Sequence, residues 1–259
     1  MAERKKIFLL VFLLLILLAV NYNFLDGVVA NLLDEHKTEV HVERIVDGDT
    51  IKAGNLTIRL LGINTPERGE QYHDEAENFL ASLIENKTVK LEFGKDRTDR
   101  YGRTLAYLFL DVVNINQKQI DNGFANYYFP SGKDSHYNDF TNAWNECLQN
   151  NKNLCEKSND KCSSCIELKS FKGQTIILKN KCSFSCDLTG WDIKDEGRKH
   201  FSFPNYILNS NDEVNVIVGN KSNYDNNLFW NQKDYVWTKT GDTLFLRDKE
   251  GKLVLWDSY

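Results

Sequence analysis

The chain has 259 residues, 41% apolar and 27% charged, with 32 basic against 37 acidic side chains for a net charge of −5. This composition excludes a disordered, collagenous or multi-span membrane chain and predicts one or two domains with buried cores. A chain that grips nucleic acid by bulk electrostatics is basic, so any such contact here must come from a local site.

At the N-terminus Arg4, Lys5 and Lys6 precede an unbroken apolar run over residues 7–20. A run of that length behind a basic start fits a secretory h-region better than a full bilayer span of about 20 residues. Residues 1–35 therefore read either as a signal peptide, with a small-residue site at Val28-Val29-Ala30, or as a retained membrane anchor. Both readings put the rest of the chain outside the cytoplasm, extracellular or at the cell surface, with the membrane as a partner where the segment is kept. Asn-x-Ser/Thr triplets at Asn55, Asn86 and Asn220 are glycosylation candidates in an exported protein.

After a short polar entry, residues 40–46 alternate as a strand, followed by the turn Asp47-Gly48. Residues 50–53 and 56–61 read as two more strands around Gly54-Asn55. Residues 70–84 place Ala76, Phe79, Leu80, Leu83 and Ile84 at helical spacing. Residues 89–93 and 105–110 return to strand patterns, 114–123 read as a short helix ending at a glycine, and 135–148 as a longer helix. Five short strands with about three helices suit a Greek-key barrel over residues 36–158. These residues also hold the acidity, since 38–158 carry 14 basic and 19 acidic side chains.

Residues 150–164 are polar and without period, and mark the boundary. Beyond them, 176–178, 188–193, 214–218, 243–246 and 253–256 read as strands between Asn, Asp and Gly turns, which predicts a β-sandwich over 159–259. Six cysteines stand at 147, 155, 162, 165, 182 and 186. The last four have spacing close to that of a zinc site, whereas an oxidising compartment favours disulfides, and the sequence leaves the pairing open. Cys147 and Cys155 would lie about 12 Å apart on a continuous helix, beyond the roughly 7 Å a bridge allows. If they pair, the helix must end between them, and Asn150-Asn151 is the expected break.

Three strings of the first segment carry chemistry: Asp47-Gly48-Asp49-Thr50, the run from Arg59 to Glu67, and Asp99-Arg100-Tyr101-Gly102-Arg103. Carboxylates offer hard oxygen ligands for Ca²⁺ or Mg²⁺. Arginines offer forked donors to a phosphate whose charge rises in a transition state. A glutamate on a turn can act on a water. The five histidines, His36, His41, His73, His136 and His200, show no ligand or triad spacing and read as surface or structural.

In order and spacing these strings make residues 40–158 resemble the staphylococcal nuclease (thermonuclease) family. The resemblance implies a five-stranded OB-type barrel and Ca²⁺-dependent cleavage of DNA and RNA with little sequence preference. Carried over by position, Asp49 and Thr65 become metal ligands, Glu67 the residue acting on the attacking water, and Arg59 and Arg103 the phosphate clamp. Tyr101 would line the nucleotide pocket. Tyr127 and Tyr128, in the aromatic run that ends at Phe129, are candidates to stack bases. Asn64 departs from the family, standing where a second ligand aspartate is usual. Its carbonyl can still ligate, with one negative charge fewer, so weaker Ca²⁺ affinity or another divalent cation is expected.

In the second segment, the string from Asp187 to Asp195 and the run from Gly241 to Val254 resemble a lamin-tail domain, an immunoglobulin-like β-sandwich. The resemblance covers roughly 165–259, with no catalytic set and an unknown partner. The alternative to a nuclease is a catalytically weak nucleic-acid-binding or cell-surface interaction protein.

Overall fold

The computed structural model describes residues 38–259 apart from Asp234 and Thr240, together with Arg4. The expected signal or anchor segment, residues 1–35, lies outside the described residues but for Arg4. Among the described residues no helix is long and apolar enough to cross a membrane.

The first part of the chain runs β1 (Thr38–His41), β2 (Arg44–Asp47), β3 (Thr50–Ala53), β4 (Leu56–Leu60), β5 (Ile63–Asn64), α1 (His73–Ile84), β6 (Thr88–Thr98), β7 (Thr104–Leu110), β8 (Val113–Asn114), α2 (Ile115–Asp121), β9 (Asn126–Tyr127) and α3 (Tyr137–Asn150). The main sheet has the order β1-β6-β7-β4-β3-β2, with β8 on β7. Its two ends, β1 and β2, are the two halves of the single strand expected at 40–46. Val42 N–H bonds Lys87 and Glu43 N–H bonds Lys52, so the strand changes partner in mid-course, from β6 to β3. That switch curls the sheet into the barrel. It and the two-residue β8 turn the five expected strands into seven. The result is an OB-type barrel with three helices.

Each helix buries the face its spacing predicts. In α1 the buried positions are His73, Ala76, Leu80 and Ile84. The helix starts three residues later than expected because Tyr72 takes a left-handed φ of 68°. The Asn114 side chain caps α2 by accepting from the Gln117 N–H, which supplies one of the orphan N–H groups of a helix start. Helix α3 ends at Asn150 with Asn151 left-handed at φ 54°. The exit brings the Cα atoms of Cys147 and Cys155 to 5.8 Å, and the two are bonded. Ile51, Ile58, Leu60, Leu80, Leu91, Leu108, Phe140 and Trp144 form the fully buried centre.

The second part is all β: β10 (Ile166–Lys172), β11 (Thr175–Asn180), β12 (Cys186–Asp187), β13 (Asp192–Lys194), β14 (His200–Ser202), β15 (Ile207–Leu208), β16 (Glu213–Val218), β17 (Asn227–Trp230), β18 (Thr243–Arg247) and β19 (Leu253–Ser258). Two four-stranded sheets, β10-β11-β16-β17 and β14-β13-β18-β19, face each other, and β12 pairs with β15. This is the immunoglobulin-like sandwich. The strand expected at 188–193 is interrupted, because Thr189-Gly190 turn with Gly190 at φ 76°. Trp191 therefore reaches the core from a turn rather than from a strand, and is fully buried there. The disulfides Cys162–Cys186 and Cys165–Cys182 tie the entrance of the sandwich to its first turns. The sulfurs of Cys162, Cys182 and Cys186 lie within 4.8 Å of one another, but all six cysteines are disulfide-bonded. No thiolate is left for zinc. Asn55, Asn86 and Asn220 are all exposed.

The stretch expected to be a patternless linker is pinned in place. Leu154 N–H bonds Gly123, Leu253 N–H bonds Glu156, and Ser158 N–H bonds Leu253. Arg247 donates to the Leu154 carbonyl at 2.8 Å. Phe245 and Leu253 of the sandwich belong to the barrel's apolar cluster, with Trp256 against it. Barrel and sandwich thus share a core.

Candidate active site

The site is built at the turn joining β2 to β3 and at the end of β4. The register of β3 with β4 sets Thr50 opposite Arg59, which carries the Arg59 guanidinium to Asp49. Their contact is 2.9 Å (Nη2 to Oδ2) between side chains that are 8% and 4% exposed. The other oxygen, Oδ1, accepts from the Thr50 hydroxyl at 2.9 Å, and the Thr65 N–H approaches Oδ2 at 3.4 Å. Arg59 also donates to the Leu60 carbonyl and to Asn64 Oδ1 at 3.3 Å. Burial lowers the Arg59 pKa against the pull of Asp49, and the like charges of Arg103 and Arg198 push the same way as burial.

Two glycines let neighbouring side chains pack directly against the backbone. A Cβ on Gly48 would meet the Ala76 Cβ at 2.8 Å and the Thr65 side chain at 3.0 Å. Gly62 combines a φ of 74° with Phe140 only 2.7 Å from where its Cβ would stand. The Gly48 carbonyl is held by Gln119 Nε2 at 2.6 Å. Asn116 grips the Leu61 carbonyl at 2.8 Å and the Leu108 N–H at 3.0 Å. Neither Asn116 nor Gln119 was singled out in the sequence. Their signal is two amides beside Ile115 and Ile120 on a short helix, which marks polar groups turned inward.

Asp49, Asn64 and Thr65 are the expected metal ligands, and all three are buried together. The donors are one carboxylate, one amide carbonyl and one backbone carbonyl, which suit a hard divalent cation. Burial, and then the neighbouring charge of Asp49, raise the Asp47 pKa. By donor type the three residues suit Ca²⁺ or a similar ion, with the Arg59 guanidinium lying against Asp49 Oδ2 and Asn64 Oδ1.

At the rim, Arg103 is fixed by Asp99 through Nε at 2.7 Å. Burial alone would raise Asp99, but N–H and guanidinium donors of Arg103 and the Tyr101 N–H bring it below its usual range. Tyr101 is 65% exposed, with the Arg100 and Arg103 guanidiniums 4.8 and 5.6 Å from its ring centre. Tyr128 is half-buried near the charge of Arg59. Tyr127, a candidate either to stack bases or to line the core, lies in the core at 4% exposure. Its ring meets Tyr137 and Trp144 edge-on, and its hydroxyl faces Thr243 at 3.3 Å. Tyr128 follows the end of β9, where the chain leaves the buried pair Asn126 and Tyr127.

Glu67 has a partner that the sequence did not foretell. Its Oε1 lies 2.6 Å from Arg198 Nε, on the loop between β13 and β14 of the sandwich. Three residues on, Glu70 accepts from the Glu67 N–H at 2.8 Å and from Lys194 Nζ at 2.6 Å. Burial would raise Glu70, but Lys194 and the Glu67 N–H hold it below its usual range. Asn64 Nδ2 donates to the Gly197 carbonyl at 2.8 Å. Asn126, its cross-strand neighbour in the β5–β9 pair, donates to the Glu196 carbonyl at 3.0 Å.

The same loop carries Glu196, whose carboxylate touches the Thr243 hydroxyl at 3.3 Å. Burial, then the charge of Asp242, push its pKa from 4.5 to about 8, and burial likewise brings Asp195 to about 6. A raised carboxylate pKa means that the folded protein binds the proton more tightly than the unfolded chain. Its stabilising share is complete below about pH 4.5 and is lost as pH rises through about 8. Glu196→Gln is therefore expected to match wild type in melting temperature at pH 4 and to exceed it at pH 9. Thermal melts across that range test this, and equal melting temperatures at pH 9 would refute it.

Residues 57–157 match the family model described as Staphylococcal nuclease homologue, and residues 145–259 match the Lamin Tail Domain model. Similar proteins include the thermonuclease of Staphylococcus hyicus, 36% identical over 116 residues, covering 40% of this chain and 69% of that protein. The thermonuclease of Staphylococcus intermedius is 38% identical over 104 residues, covering 36% of this chain and 62% of its own length. The SPbeta prophage-derived endonuclease YokF of Bacillus subtilis is 38% identical over 98 residues, 34% of this chain and 33% of that protein.

Proposed function

We propose, because the chain belongs to the staphylococcal nuclease homologue family and continues into a lamin tail domain, that it is a divalent-metal-dependent nuclease, with Ca²⁺ the first choice of ion, that hydrolyses phosphodiester bonds of DNA or RNA with little sequence preference. The observation that carries this reading is the buried Asp49–Arg59 pair beside Asn64 and Thr65, with Glu67 and Arg103 at the rim.

In the proposed mechanism Asp49, Asn64 and the Thr65 carbonyl hold the cation, which polarises a phosphate oxygen when bound. Glu67 takes a proton from the attacking water as the new P–O bond forms. Arg59 and Arg103 donate to the phosphate oxygens as their charge rises, and the departing oxygen leaves with a proton from solvent. Tyr101 offers an exposed ring beside the phosphate site, and Tyr128 a second at the groove wall. We place the nuclease domain at residues 36–158 and the lamin tail domain at 159–259. Three disulfides suit an oxidising compartment, which supports an exported protein led by residues 1–35 as signal or anchor.

The test is cleavage of single-stranded DNA and RNA by the purified protein with Ca²⁺, Mg²⁺, Mn²⁺ or EDTA. Metal-dependent cutting is expected, and Glu67→Gln is expected to lower its rate by about 10²–10⁴-fold, the usual worth of a general base. A folded protein that cuts with no metal, or a Glu67→Gln variant as fast as wild type, overturns the reading.

A further inference from the structure

Lamin tail domains are read as modules that bind or position other things, yet here the sandwich reaches into the barrel's site at three adjacent points. Asn64 Nδ2 is bonded to the Gly197 carbonyl, Asn126 Nδ2 to the Glu196 carbonyl, and Glu67 Oε1 to Arg198 Nε. Lys194, at the end of β13, holds Glu70, which in turn accepts from the Glu67 N–H. The turn bearing Glu67 is thus gripped twice from the second domain, once at its side chain and once through its backbone.

The grip belongs to the folded body and is no loose cover. The loop closes on itself through Asp195 N–H to Lys199 and Lys199 N–H to Asp195 Oδ1. The domain that carries it is anchored by Phe245 and Leu253 in the barrel's own core. The contact also gives Asn64 a reason. An amide offers the N–H that the Gly197 carbonyl needs, whereas a carboxylate there would set oxygen against oxygen. Arg198 is 54% exposed and Glu67 35% exposed, so the pair lies at an open mouth.

On the reading of the site as a nuclease, we propose that the lamin tail domain completes the active site. Arg198 is a positioning residue that holds one oxygen of Glu67 and leaves the other to the attacking water. An arginine fixed on Glu67 Nε-first presents its fork in one orientation, which a flexible ammonium does less well.

The experiment measures kcat and KM for single-stranded DNA with Ca²⁺ on the full chain as wild type, Arg198→Ala, Arg198→Lys and Glu67→Gln. Arg198→Ala is expected to lower kcat at least tenfold with KM within threefold, and Arg198→Lys to recover part of the loss. Both should melt as wild type does, since a half-exposed pair contributes little to stability. Should Arg198→Ala fail to fold, Arg198→Gln takes its place. An unchanged kcat refutes the assignment, and so does a loss confined to KM. A faster variant would overturn it in favour of an inhibitory contact. The nuclease reading fails separately, through an inactive wild type or a fully active Glu67→Gln, and the assignment falls with it.

Discussion

Arg59→Ala is expected to lower the cleavage rate by about 10²–10³-fold, the usual cost of losing one preorganised donor to a developing oxyanion, and to destabilise the fold. The two effects share a cause. Arg59 is only 7% exposed and its guanidinium neutralises Asp49, whose carboxylate is itself 4% exposed. Deleting one member of a buried ion pair leaves the other charged and without its counter-ion, which costs about 3–5 kcal/mol. Thr50 and the Thr65 N–H still reach Asp49, so the loss should stay short of unfolding. A divalent cation should restore part of the stability, because it replaces the missing positive charge at Asp49. Single-turnover cleavage and melts with and without Ca²⁺ check both halves. A rate within threefold of wild type on folded protein would remove Arg59 from the phosphate site.

Trp144→Ala should destabilise by about 3–5 kcal/mol from the lost apolar volume and the cavity, or roughly 6–20 °C in melting temperature for a chain of this size. Trp144 is fully buried. Its ring meets Tyr127 on the barrel side at 6.5 Å, and Phe245 and Trp256 of the sandwich at 5.5 and 6.3 Å. Its indole N–H has no partner, so the loss is one of packing alone. Because the cavity opens between the two bodies, the variant should also cut more slowly, through the loosened grip of Lys194 and Arg198 on the Glu67 turn. Denaturant unfolding with a parallel activity assay tests this. A drop below 1 kcal/mol would mean that the interface repacks around the gap.

The clustering of the barrel's candidate site was legible because its residues lie in three short strings whose turns and strands fold locally. Asp49 and Arg59 meet through a hairpin ten residues long, and the asparagines at 150–151 announced the end of α3 through the needs of Cys147 and Cys155. What the sequence hid was distance. Gly197 lies 133 residues from Asn64, and no local period records that pairing. The second bond of Asn64, to the other domain, is invisible in the sequence. Strands such as β14 and β15, of three and two residues, are too short for alternation to register. Tyr127 ends β9 and is buried whereas Tyr128, just beyond it, is half-buried, a difference that residue type does not record.

The pinned connection also bears on resistance to proteolysis. A protease must draw a stretch of backbone into an extended shape in its cleft, and joints between domains are the usual place of attack. Lys152 and Lys157 stand in such a joint and are exposed. Yet the chain around them is bonded at Leu154, Glu156 and Ser158 and stapled at Cys155. To be nicked there, the molecule must first give up part of the core that its two halves hold in common, so the joint resists digestion about as well as the bodies it connects.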